Sequence, residues 1–118
     1  MNQDTERIEV SDEVIAICAA NATRKTPGVM RMEGGISNAI RRNLLGKESL
    51  AKGIKVDHID KDSTIEIDTH VIVKYGSHIP SVAWDIQENV KNKIAEMTGL
   101  TVSAVNINVE GVEADDKK

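Results

Sequence analysis

The sequence predicts a small α+β domain, a mostly antiparallel sheet with two main helices packed on one face. Three observations predict it. Apolar residues fall at Ile79, Val82, Ala83, Ile86, Val90, Ile94 and Met97, spacings of three and four that make one stripe on a helix. Ile65, Ile67, Thr69, Val71, Val73 and Tyr75 instead alternate with Glu66, Asp68, His70 and Lys74, a strand with one buried side. Val105, Ile107 and Val109 repeat that pattern against Asn106, Asn108 and Glu110. One-sided helices and one-sided strands bury their apolar faces against each other, which gives two layers. A chain of 118 residues is one domain's worth. The ordered core is expected over residues 7–112, with 113–118 a polar, disordered tail.

In chain order, Arg7 to Val10 reads as a short first strand. Ser11 is a good N-cap, and Asp12 and Glu13 suit the first turn of a helix running to about Thr23. Val14, Ile15, Cys18 and Ala22 are its expected buried side, and Ala16, Ala19 and Ala20 allow close approach. Pro27-Gly28 ends it. Val29, Met30 and Met32 read as a second short strand. Beyond Gly34-Gly35, the residues Ile36, Ile40 and Leu44 recur every four, with Arg41 and Arg42 off that stripe. The two readings there are a loop tucked on the core and a short amphipathic helix that docks on a partner helix or an anionic membrane surface. Ile54 and Val56 begin a strand, and the Asp60–Ser63 turn makes a hairpin with the strand from Ile65. Pro80 fits the first turn of the long helix, and Thr98-Gly99 stops it. Asp85 and Glu88 lie toward its start and Lys91 and Lys93 toward its end, the order the helix dipole favours.

Trp84 falls outside the stripe, about 130° from its centre at 100° per residue, near Lys91 and Ala95. Either a second element covers it, or it lies at the stripe's margin, or it is an exposed anchor for a partner, since tryptophan is enriched at binding hot spots.

Composition narrows the function. Trp84 and Tyr75 are the only aromatics, which weakens any case for base stacking. Net charge is −4, but Arg24 to Lys55 carries eight Lys/Arg against Glu33 and Glu48, leaving that segment at +6 and the remainder at −10. Such asymmetry points to an anionic partner or to a solvated loop. Cys18, the single cysteine, excludes an intrachain disulfide and reads as a small core residue. The polar start MNQDTERIEV carries no signal-peptide pattern, and no apolar run reaches membrane-spanning length, so a cytoplasmic protein is expected.

No catalytic, cofactor or metal residues are assigned. The Asp60–Ser63 turn pairs His58 with Ile65 on the apolar face, while His70 alternates to the polar face, so the two cannot share a metal. His78 sits alone before the long helix. Glu66 and Asp68 lie on a face expected to be wet, without the contrasting environments that acid–base pairs need.

The segments SDEVIAICAANATRKTPGV, KGIKVDHID and IEIDTHVIVKYGSHIPSVAWDIQENVKNKIAEMTGLTVSAVNINVEGV resemble the alkaline-shock protein family, envelope-stress proteins of Gram-positive bacteria. Its most specific parts are Tyr75-Gly76 with Ile79-Pro80, Gln87 with Val90, Met97-Thr98-Gly99-Leu100, and Val105 to Val109. The resemblance implies a non-enzymatic, self-associating scaffold, with some members held beneath the membrane by a membrane-anchored partner. The partners expected from the resemblance are the chain itself and a membrane-anchored protein, and the basic segment around Arg41 and Arg42 adds an anionic membrane surface. The expected contact residues are Trp84, Lys91, Ile36, Ile40, Arg41, Arg42 and Leu44. The alternative is a nucleic-acid-binding module using the basic 24–55 segment, opposed by the overall acidity and the missing GXXG loop.

Overall fold

The computed structural model describes residues 9–33, 53–60 and 63–115. Its elements are α1 (Asp12–Arg24), β1 (Val29–Met32), β2 (Ile54–His58), β3 (Thr64–Lys74), α2 (Ile79–Thr98) and β4 (Thr101–Glu113). Both helices lie on one face of a four-stranded sheet, so the fold is α+β as the patterns predict.

β3 is the middle of everything. β2 and β1 pair with it antiparallel along one edge, through Ile54↔Thr69 to His58↔Ile65 and then Val29↔Val73 to Met32↔Val71. β4 pairs along the other edge, in parallel, from Thr64↔Thr101 to Lys74↔Glu113. The sheet is thus antiparallel in two of its three pairings. The third is parallel because α2 returns the chain to the end of the sheet from which β3 began. Asp60 Oδ1 accepts from the Ser63 N–H (2.9 Å) and the Thr64 N–H (3.2 Å), and so builds the β2–β3 turn.

The core is the aliphatic one expected. Ile65, Ile67, Val71 and Val73 from β3 meet Ile15, Ala19 and Ala22 from α1 and Val82, Ile86, Val90 and Ile94 from α2. The alanines of α1 let it lie close: Ala16, Ala19, Ala20 and Ala22 are all buried. Ser11 caps it, its Oγ accepting from the Val14 N–H at 3.2 Å. At Gly28, φ is +97° and a Cβ would stand 2.6 Å from Val82 Cγ2, so only glycine lets this turn pass under α2. Asn89 Nδ2 donates to Thr26 Oγ1 (2.9 Å), tying α2 to the chain just after α1. Gly99 takes the left-handed cap at φ +79°, its N–H donating to Ala95 O at 2.9 Å.

Several expectations need correction. Val14 is 48% exposed, because the buried side of α1 centres on Ile15, Ala19 and Ala22. Met97 is 64% exposed, although it lies on the α2 stripe, because only four stripe residues, Val82 to Ile94, are buried. Tyr75 is exposed too, since β3 ends at Lys74 and Tyr75 enters a turn. Neither Glu9 nor Val10 is in a strand, though Val10 packs on the core; Arg7 and Ile8 lie outside the described residues. The first turn of α2 holds no acid and the last no base, so its charges lie too far in to gain much from the dipole. β4 is longer than expected, running through Glu113, and has two bulges. Register shifts make Ser103 and Glu110 extra residues, so Val102 and Val105 both reach the core despite their odd spacing.

Ile67 sits fully buried at the centre of β3. Ile67→Ala is expected to cost about 2–5 kcal/mol, read as a lower urea midpoint at unchanged slope. Tyr75→Ala, at an exposed turn, is expected to stay within about 0.5 kcal/mol.

Candidate interaction surface

The face of the sheet away from the helices is a polar network. Glu66, Asp68 and His70 project there from β3 because the odd-numbered residues are buried. Asn106 Nδ2 donates to both Glu66 Oε2 (2.9 Å) and Asp68 Oδ1 (2.8 Å). One amide therefore holds both carboxylates, a structural arrangement in which the acids share a solvated surface. His70 Nδ1 lies 2.7 Å from Glu110 Oε2, the bulged residue of β4. His58 Nε2 lies 2.7 Å from Asp12 Oδ1, on the helix side of the sheet. His78 Nδ1 lies 2.8 Å from Ser81 Oγ at the start of α2. His58 and His70 thus stand on opposite sides, as the register predicts. Among the described residues no three His, Cys, Asp or Glu side chains converge.

Arg31 joins the two outer strands. Its Nη2 donates to Glu113 Oε2 at 2.6 Å and its Nη1 to Glu33 Oε1 at 3.0 Å. The hydrogen bond from the Arg31 guanidinium holds the Glu113 carboxyl below the usual carboxylate range, and the two carboxylates push Arg31 above its ordinary value. The end of β1 is so clipped to the end of β4.

Trp84 is 61% exposed, so the reading as an uncovered aromatic is the one the geometry favours. Lys91 is half-buried two turns further on, about 10 Å along the same side of the helix. This flank of α2 overhangs β4, because Gln87, one turn from Trp84, donates from Nε2 to Val105 O at 3.1 Å. Ile36, Ile40, Arg41, Arg42 and Leu44 lie outside the described residues.

Sequence reading missed a groove of 360 Å³ between α1 and α2. Val14, Ile17, Cys18, Ala22 and Met97 line it, with Asn21, Lys25 and Lys93 beside them. Cys18 Sγ lies 3.7 Å from Met97 Sδ. Burial pushes the Cys18 thiol up, opposed by the Lys93 ammonium and aided by Glu96, so it stays a thiol at neutral pH. The sequence signal was present in Val14 and Met97, both counted as core by periodicity and both open at the surface.

The fold and its surface define a two-layer α+β domain with an exposed aromatic, an apolar groove and a polar sheet face. The chain belongs to the alkaline-shock protein 23 family, described as having a cell envelope-related function, whose model matches residues 1–114. It is 34% identical over 118 residues to the uncharacterised protein YqhY of Bacillus subtilis, covering 98% of this chain and 85% of that one. It is 37% identical over 109 residues to YloU of the same organism, also uncharacterised, covering 90% and 88%. A Streptococcus pyogenes homologue of the stress response regulator gls24 is 23% identical over 111 residues, covering 94% and 61%. No solved structure gives a significant match. No helix among the described residues is long and apolar enough to cross a membrane.

The Arg31–Glu113 clip has a defined pH dependence. Glu113 is depressed in the folded state, so its contribution is complete above the ordinary glutamate range and is lost as pH falls through the depressed value. The difference in melting temperature between wild type and Glu113→Gln is expected at neutral pH and should vanish in strong acid.

Proposed function

We propose that this chain is a non-catalytic scaffold or adaptor in cell-envelope stress response or homeostasis, which binds itself and a membrane-associated partner from the cytoplasmic side. The observation that carries this reading is the match of nearly the whole chain to a family of cell envelope-related function. The name of the gls24 relative, a stress response regulator, supports the stress side of it. The surface is of the matching kind. Its distinctive features are an exposed Trp84 and an apolar groove beside Lys25 and Lys93, features that serve contact. The basic segment would supply the attraction to an anionic membrane or an acidic partner.

A nucleic-acid role for the 24–55 segment draws less support. Arg31 is committed to Glu33 and Glu113, Arg24 bonds Asn21, and Lys55 lies 3.9 Å from Asp57. A basic patch that reads phosphates needs its cations free to release counterions.

The tagged chain is expected to capture a membrane-associated protein from detergent-solubilised envelopes. Replacing Arg41 and Arg42 by Glu should reduce that capture while leaving the thermal melt nearly unchanged. Equal capture by the charge-reversed chain would count against the proposal. A salt-sensitive gel shift with single- or double-stranded nucleic acid would favour the alternative instead.

A further inference from the structure

We infer that the outer edge of β4 is covered by the same edge of a second copy, the two strands pairing antiparallel about a two-fold axis at Ile107. This rests on the self-association reading above and names its surface.

The hydrogen bonds of the sheet settle which residues form that edge. The His70 N–H donates to Gly53 O and the Lys74 N–H to Gly28 O, so even-numbered β3 residues bond toward β2 and β1. The Tyr75 N–H donates to Glu113 O and the Thr101 N–H to Ser63 O, on the β4 side. In a parallel ladder, β4 residues opposite even-numbered β3 residues therefore turn their polar groups inward. Those are Ala104, Asn106 and Asn108. Val105, Ile107 and Val109 turn theirs outward, as the Gln87 bond to Val105 O independently requires.

Among the described residues, the protections of this edge stand at its ends, with Gln87 on the Val105 carbonyl and the bulges at Ser103 and Glu110, and leave its middle open. Natural edges are blunted by charge, proline or a bulge. The run Ala104–Val109, AVNINV, has no charge, no proline and no glycine. The two bulges lie just outside it, at Ser103 and Glu110, and leave the window between them regular. Uncharged strands of this length with high β-propensity pair readily with another strand.

The edge is also complementary to itself, which is all that a two-fold contact demands. Centred on Ile107, Val105 meets Val109 of the second copy and Ile107 meets its equivalent, forming about four inter-strand hydrogen bonds, since the Val105 carbonyl of each copy already accepts from Gln87. On the helix side the half-buried Ile107 and Val109 gain an aliphatic neighbour. On the polar side Asn106 meets Asn108, and Glu110 meets Ala104, so no like charges oppose each other. The overhanging flank of α2 brings the exposed Trp84 to the same side of the molecule.

Light scattering on the full chain is expected to give twice the 12.9 kDa chain mass. Ile107→Pro removes an outward N–H that the β3 ladder does not use, a position where an edge strand tolerates proline. It should abolish the dimer, keep the far-ultraviolet dichroism, and shift Trp84 emission to the red. Independently, chains carrying Asn106→Cys mixed with chains carrying Asn108→Cys should cross-link on oxidation, whereas neither alone should. This pair is a close, non-hydrogen-bonded one suited to a disulfide. A folded Ile107→Pro dimer, or a mixture that fails to cross-link, would overturn the β4 pairing and leave self-association standing. If Ile107→Pro does not fold, the cross-linking decides. Wild type at single-chain mass at its highest soluble concentration would overturn both readings. So would an edge occupied by residues of the same chain, seen as unchanged mass with β4 amides protected from exchange.

Discussion

The molecule depends on the burial of one side of β3. Ile65, Ile67, Val71 and Val73 are at most 1% exposed, and Thr69 lies among them at 0%. Burying those four aliphatic side chains contributes on the order of 6–12 kcal/mol before chain entropy is set against it. Every other strand pairs with β3, and both helices pack on that same side. The remaining architecture follows from how a strand so placed can be flanked. One edge takes the short β2 and β1 end to end, joined antiparallel. The other takes β4, which α2 can deliver only in parallel.

Much of this was legible because each element is one-sided. A period of two in 65–73 and spacings of three and four in 82–94 name the buried residues almost one by one. Ser11 as a cap, Pro80 as a helix start and Gly99 as a stop act through their own backbone chemistry, so they too could be read locally. The errors share a cause: periodicity assigns a residue to a face but does not say how far the neighbour covering that face extends. Val14, Met97 and Tyr75 lie on apolar patterns yet beyond the reach of the opposing layer. The parallel pairing was hidden for a related reason. Buried parallel strands usually read as continuous apolar runs. β4 alternates because helices cover only one side of this sheet, so it carries the signature of an antiparallel strand. The bulges at Ser103 and Glu110 leave no pattern in a single sequence, since they are defined by the partner strand.

The motifs that carried the family resemblance acquire physical roles in the β3–α2–β4 unit. Tyr75-Gly76 is the turn leaving β3, Ile79-Pro80 starts α2, Val90 is core, and Met97 to Leu100 brings the helix to its stop. Gln87 is the informative one. Sequence alone offers no reason for a polar side chain one turn from Trp84, but its amide occupies the outward carbonyl of Val105. It thereby fixes α2 over the edge of the sheet and marks that edge as a place where the backbone needs partners.

These features divide the surface into regions of different character. The polar face is internally satisfied: Asn106 holds two carboxylates, and His70 and Lys74 each find an acid. A face whose charged groups are already matched offers little to a charged partner, because each contact would first break an existing one. The regions with something to gain are the apolar groove between α1 and α2 and the margin formed by β4 and Trp84. They lie on different sides of α2, so occupying one leaves the other open. The separation follows from α2 itself, whose Gln87 flank turns to β4 and whose Lys93 and Met97 turn to α1.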